Sequence, residues 1–253
     1  MAGYSPTELM AIVIAREFRD GEVVVMGAVP ALPMAACMLA RAMHAPGLSY
    51  LVGGSGTVNP DPDALPDSSC DAVLGAATTT LPLHEVVMLE GRGNAFDVFC
   101  AGGLQIDAFG NCNLISIGDW ERPSLRGPGT VGLPFLPATK RAVIYSAGHN
   151  PRTFVEHVDF VSGPGHPGAP GEDRAYRQEG PSLVVTPLAR MDFDPESRRM
   201  RIASIHPGVT EDEVRTATGF ELADSDGATE TQPPSAEELE VLRRIDGNGV
   251  LAG

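Results

Sequence analysis

Apolar and polar positions follow two rhythms along the chain. Ser5, Pro6 and Glu8 stand at the N-cap, first and third positions of a capping box, and the apolar stretch behind them predicts a helix to about Arg19. Asp20-Gly21 ends it. Glu22–Met26, with three successive valines, reads as a buried strand, and Gly27–Pro30 turns the chain into a second helix, Ala31–Ala45. This strand-loop-helix start predicts an α/β fold, an open, mostly parallel sheet flanked by helices. Ligand sites in such folds gather at the carboxyl ends of strands.

Further apolar runs predict strands at Ser49–Val52, Ala72–Leu74, Glu85–Leu89, Asp97–Cys100, Gly103–Ile106, Asn113–Ile117 and Ala142–Ser146. Phe154–Phe160 alternates as a strand would. Val184–Asp192 and Met200–Ile205 are expected to pair antiparallel around Asp194–Ser197, and Asp107–Asn111 to reverse the chain between two strands. Thr210 with Glu213 forms a second capping box, and Gly219 closes its helix. Residues 223–234 read as an acidic linker, leading to a capped C-terminal helix at 235–246. The organisation expected is one domain, residues 1–253.

Composition narrows the partners. The net charge of −15 excludes a nucleic-acid backbone, which requires a clustered basic surface. No apolar run reaches the roughly 18 residues of a membrane span, and the first apolar stretch is broken by charges, so a cytoplasmic protein is expected. Cys37, Cys70, Cys100 and Cys112 lack paired spacing and read as buried free thiols. No histidine motif suggests a metal.

Several local motifs invite chemistry. Gly127–Gly132 spells a dinucleotide-type glycine pattern, but two prolines follow where a helix is needed, which leaves a glycine loop able to offer N–H groups to a carbonyl. Gly53-Gly54-Ser55-Gly56-Thr57 follows a strand but fails as a nucleophile elbow at its last position; the alternative is a tight turn open to close approach. His149 follows a strand end and is either a substrate contact or a turn histidine. Glu90, Asp107 and Asp119 lie near expected strand ends, Asp107 and Asn111 more simply holding their own turn.

The chain resembles the β subunits of class I CoA-transferases. Asp20-Gly21 with Gly27–Pro30, Gly103–Asn111, Gly127-Pro128-Gly129, Lys140–His149, Phe154–Gly165 and Pro207–Phe220 match that family's segments in order, with Thr130 replacing the final glycine of its glycine loop. The resemblance implies the class I CoA-transferase-like fold, a CoA thioester as substrate with no separate cofactor, and a related α subunit in an α2β2 heterotetramer. It also implies a nucleophilic glutamate near residues 53–55, where this chain has Gly53-Gly54-Ser55. Glycine cannot form the glutamyl intermediate.

CoA-transferase-like pairs without that nucleophile resemble the hydrolases of actinobacterial steroid catabolism, which open rings of CoA thioesters by carbon–carbon cleavage. This resemblance places the working glutamate on the α subunit and no catalytic residue on this chain. Loss of the glutamate would make room for a bulky acyl group at Gly53, Gly54 and Ser55. Gln105, Asn111, Gly127, Gly129, Thr130 and His149 are the other expected substrate-binding residues. Two readings stay open beside it: a true CoA-transferase with its nucleophile displaced to Glu90, and a non-catalytic stabilising partner.

Overall fold

The computed structural model describes residues 3–130, 132–167, 180–224 and 227–252. They fall into two compact units, one within Met1–Cys100 and Pro233–Gly253, the other within Ala101–Gln232.

In the first unit the chain runs through α1 (Pro6–Glu17), β1 (Val23–Met26), α2 (Ala31–Met43), β2 (Ser49–Val52), β3 (Thr57–Val58), β4 (Thr79–Thr80), α3 (Leu83–Gly91) and β5 (Val98–Ala101). β1 pairs in parallel with β2 and with β5, so three strands end on the same side. The short β3 and β4 add antiparallel edges beyond β2. β1 is buried because its valines fill both faces of a covered sheet. α1 and α2 pack together, the small Ala35, Ala36 and Ala40 of α2 allowing close approach. The C-terminal helix, Ala236–Ile245, joins them through two bidentate ion pairs, Arg16 with Glu238 and Arg243 with Glu8. Glu8 also closes the α1 capping box, so one carboxylate serves a helix start and a tertiary clamp.

The second unit opens with a hairpin of β6 (Gln105–Ile106) and β7 (Cys112–Asn113). A second small hairpin pairs β8 (Ser116–Ile117) with β9 (Leu125–Arg126). Its main sheet contains β10 (Arg141–Tyr145), β11 (Pro181–Val185), β12 (Ala189–Phe193) and β13 (Met200–Ile205). α4 (Glu211–Ala217) and the edge strand β14 (Thr229–Glu230) follow. β10–β11 and β13–β14 are parallel, while β11, β12 and β13 form an antiparallel meander. The expected class holds: α/β, an open, mostly parallel sheet flanked by helices.

All three capping boxes form as expected. Other expectations needed correction. Glu85–Leu89 lies inside the helix α3, because Pro82 sets its start and the apolar run spreads around a helix as readily as along a strand. Ala72–Leu74 belongs to one 3-10 turn, begun by the Asp71 carboxylate accepting the Val73 N–H. The expected strands at 184–192 and 113–117 are each cut in two. Thr186 Oγ1 accepts from Leu188 and Ala189, and Asn113 Oδ1 accepts from Ile115, drawing backbone N–H groups out of the ladder. Phe154–Phe160 makes only isolated bridges, and Cys70 is exposed rather than buried. The stretch read as a linker carries β14 in its middle.

Candidate active site

At the carboxyl ends of β1 and β2 the chain makes the turn Gly53–Gly56. Gly53 N–H donates to Met26 O at 2.9 Å, tying the two strand ends together. Gly54 lies directly under Ser69: a Cβ at position 54 would stand 2.1 Å from Ser69 Oγ and 2.6 Å from its Cβ. Ser69 is held there by its own N–H, which donates to Ala28 O. Gly56 adopts φ +71°, and a Cβ on it would press within 2.0 Å of Leu81 O. Ser55 Oγ contacts Thr57 Oγ1 at 2.7 Å and Val52 O at 3.3 Å, with no histidine among these partners. The glycines therefore do not leave the empty space expected from them. Ser69 fills the room at Gly54, and a carboxyl fills the room at Gly53.

That carboxyl belongs to Glu90. Its Oε1 lies 3.3 Å from where a Gly53 Cβ would be. Glu90 is 6% exposed, with Val86 on the same buried side of α3. Burial holds the proton on this carboxyl up to about 7, against an ordinary 4.5. The sequence places Glu90 among strand-end carboxylates. The structure puts it on a helix, turned inward to the turn after β2.

The remaining expected residues lie in the second unit, where their polar atoms are largely engaged. Gln105 Oε1 accepts from Asn113 Nδ2 at 2.7 Å and from Asp159 N at 3.0 Å, while its Nε2 donates to Asp159 Oδ2 at 3.1 Å. Asn111 Nδ2 donates to Asp107, and its Oδ1 accepts from Gly165 N. Gly127 N–H donates to Ile115 O and Gly129 N–H to Leu114 O. Neither amide is thus aimed outward at a ligand. A Gly127 Cβ would lie 2.3 Å from Leu114 O, so close backbone approach explains that glycine. Thr130 O accepts from Leu133 N.

His149 places Nδ1 2.9 Å from Thr186 Oγ1 and Nε2 3.0 Å from Thr218 Oγ1, with its ring against Phe154. Burial lowers its pKa to about 4, so it is a neutral cross-brace at physiological pH. The turn reading fits this geometry. No group of three or more His, Cys, Asp or Glu among the described residues is placed to hold a metal, and no described helix is long and apolar enough to cross a membrane.

Asp107 is a structural carboxylate. Its Oδ1 accepts from Phe109 N and Asn111 N, each at 3.0 Å, and its Oδ2 from Asn111 Nδ2 at 2.8 Å. Burial nevertheless raises its pKa, outweighing these donors. Asp107→Ala orphans all three donors and is expected to destabilise the chain by about 3 kcal/mol. Urea unfolding measures this, and a loss under about 1 kcal/mol would contradict the assignment.

Residues 7–217 match the family described as Coenzyme A transferase. The chain belongs to the coenzyme A transferase family. It is 33% identical to the B-type subunit of 3-oxoadipate CoA-transferase from Pseudomonas knackmussii, across 100% of this chain and 97% of that one. It is 30% identical to the cholesterol ring-cleaving hydrolase IpdB subunit of Mycobacterium tuberculosis, across 94% and 93% of the two chains. Among solved structures, glutaconate CoA-transferase from Acidaminococcus fermentans superimposes with a TM-score of 0.86 at 28% identity, covering 99% of this chain and 98% of that one. These relatives include both transferases and a ring-cleaving hydrolase, so family membership alone does not select the reaction. The turn after β2 bears on that choice.

Proposed function

We propose that this chain is the β subunit of a CoA-transferase-family hydrolase that opens a ring of a steroid-derived acyl-CoA by hydrolytic carbon–carbon cleavage. One observation carries the reading. The turn where the resemblance puts the transferase nucleophile has no carboxylate of its own and is closed by Ser69 over Gly54. A covalent glutamyl route needs a side chain there that can reach a thioester carbonyl. The 30% identity to a cholesterol ring-cleaving subunit supports the same direction. A CoA-transferase-like α subunit, in an α2β2 complex, would complete the site, with CoA entering as part of the substrate. The resemblance assigns the water-activating glutamate to that α subunit.

A second reading has its own support. The 33% identity to a transferase subunit and the inward carboxyl of Glu90 favour a transferase whose nucleophile has moved to the helix. Both are tested on the reconstituted complex with a series of cyclic β-ketoacyl-CoA esters, from single to fused rings. The hydrolase gives a ring-opened acid carrying one added water, with CoA still attached. Movement of CoA to an added carboxylate, with a hydroxylamine-sensitive adduct on this chain, would replace the hydrolase reading with the transferase one.

A further inference from the structure

We propose that Glu90 is a catalytic residue supplied by this chain, the group that transfers a proton during cleavage of the acyl-CoA carbon–carbon bond at the end of β2. The inference rests on the hydrolase reading above and adds a participant to it.

Four observations converge on Glu90. First, the buried side of α3 pairs a carboxyl with Val86. The helix buries Glu90 while exposing Leu83 at 65%, Val87 at 41% and Met88 at 71%. A helix placed only by apolar packing would set an apolar residue, not a carboxyl, at position 90. Second, the carboxyl has no hydrogen-bond or ion-pair partner among the described residues, whereas carboxylates buried for structural reasons are paired, as Glu8 and Asp107 are. Third, the carboxyl is not sealed. Every fully enclosed side-chain nitrogen or oxygen among the described residues has a partner, so the unpartnered Glu90 oxygens must keep an open edge. Fourth, the carboxyl lies beside a strand end, where α/β folds bind ligands. Oε1 sits beside Gly53, whose N–H is bonded to Met26 at the adjoining strand end. Glycine at 53 lets the helix-borne carboxyl enter the region where the resemblance expects one on the turn. The dry surroundings also let it exchange a proton near neutrality, as acid–base work requires.

The step balances with water alone. The Glu90 carboxylate takes a proton from water as the water oxygen bonds to the ring carbonyl carbon. The carbon–carbon bond then breaks, its electron pair passing to the carbon on the CoA side. Glu90 returns the proton to that carbon, leaving a carboxylic acid and a ring-opened thioester. The α-subunit glutamate can share the first transfer, while the return to carbon falls to Glu90.

The test uses the α/β complex carrying Glu90→Gln or Glu90→Asp, assayed on the same cyclic β-ketoacyl-CoA series. Glu90→Gln is expected to lower kcat by about 100-fold or more, with KM and assembly unchanged, and to remove the pH-rate limb near 7. Glu90→Asp should recover part of the rate. Glu90→Gln should also raise the melting midpoint by about 2–4 °C near pH 8, because the raised carboxyl pKa weakens the fold as pH rises through it. Turnover of Glu90→Gln within about 3-fold of wild type would overturn the proposal. A hydroxylamine-trapped adduct on Glu90 would overturn it too, by making Glu90 a nucleophile. If the wild-type complex cleaves none of these esters, the hydrolase reading fails separately. Glu90 is then judged by infrared difference spectra: a protonated-carboxyl band, absent in Glu90→Gln, that shifts when acetoacetyl-CoA is added upholds its contact with the thioester. No shift overturns it.

Discussion

Gly54→Glu will leave this chain largely unfolded, and Gly54→Ala will destabilise it by about 2–4 kcal/mol. The backbone at Gly54 has no left-handed angle to explain the glycine. The obstacle is space: any Cβ there meets Ser69 Oγ at 2.1 Å and Ser69 Cβ at 2.6 Å. Rotating the serine hydroxyl removes only the first contact. The Ser69 backbone, bonded to Ala28 O, resists moving away. The double variant Gly54→Ala with Ser69→Gly removes both clashing atoms and is expected to recover most of the loss, an interaction energy of about 1–3 kcal/mol. Denaturant unfolding of the two single variants and the double variant measures it. Additive effects would show that the contact is not the cause. Reinstalling a glutamate here should therefore yield misfolded protein rather than a transferase.

The second large effect is acid lability. His149 and His206 are both held neutral by burial, each with a pKa of about 4 against an ordinary 6.5. Thr186 links them. Its Oγ1 meets His149 Nδ1 at 2.9 Å, and its carbonyl meets His206 Nε2 at 2.9 Å. His206 Nδ1 also meets Thr231 Oγ1, so each imidazole is enclosed by polar partners. Because the folded pKa lies below the unfolded one, the unfolded state binds more protons between about pH 6.5 and 4. Stability is complete above 6.5 and falls as pH drops toward 4. Each histidine contributes on the order of 3 kcal/mol to that loss. Glu90 acts in the opposite sense, its raised pKa weakening the fold as pH rises from about 4.5 through 7. Unfolding free energy against pH, compared with His206→Gln, isolates the histidine contribution. A variant whose acid slope equals that of wild type would refute it.

Much of this fold is legible in the sequence where local chemistry decides the outcome. The three capping boxes, the valine-rich β1 and the Asp107–Asn111 reversal depend on neighbouring residues, and each forms. Prediction failed where a side chain competes with the backbone, as at Thr186 and Asn113, or where the apolar pattern carries a second meaning. α3 is the clearest case. Four apolar residues in a row, Val86 to Leu89, read as a buried strand, yet Val87 and Met88 face outward and Glu90 faces in. Periodicity assumes that apolar residues go inside, so it points away from the residue of greatest interest. The candidate site was legible only in part. The turn at Gly53 marks its place, but the contact between Gly53 and Glu90 joins positions far apart in sequence. Gln105, Asn111 and His149 were expected at the site only with the resemblance, and much of their hydrogen-bonding capacity is used within the protein.

The unpartnered carboxyl of Glu90 also affects how variants of this chain will fare under selection. A library screened for heat tolerance or expression yield will enrich replacements at this position, since any well-packed neutral side chain relieves the cost of keeping a lone carboxyl out of water. Hardiness and turnover are opposed at one residue, and a screen that scores only the first will discard the second. Clones from such a library carrying glutamine, methionine or leucine at position 90 would be robust proteins with their chemistry removed.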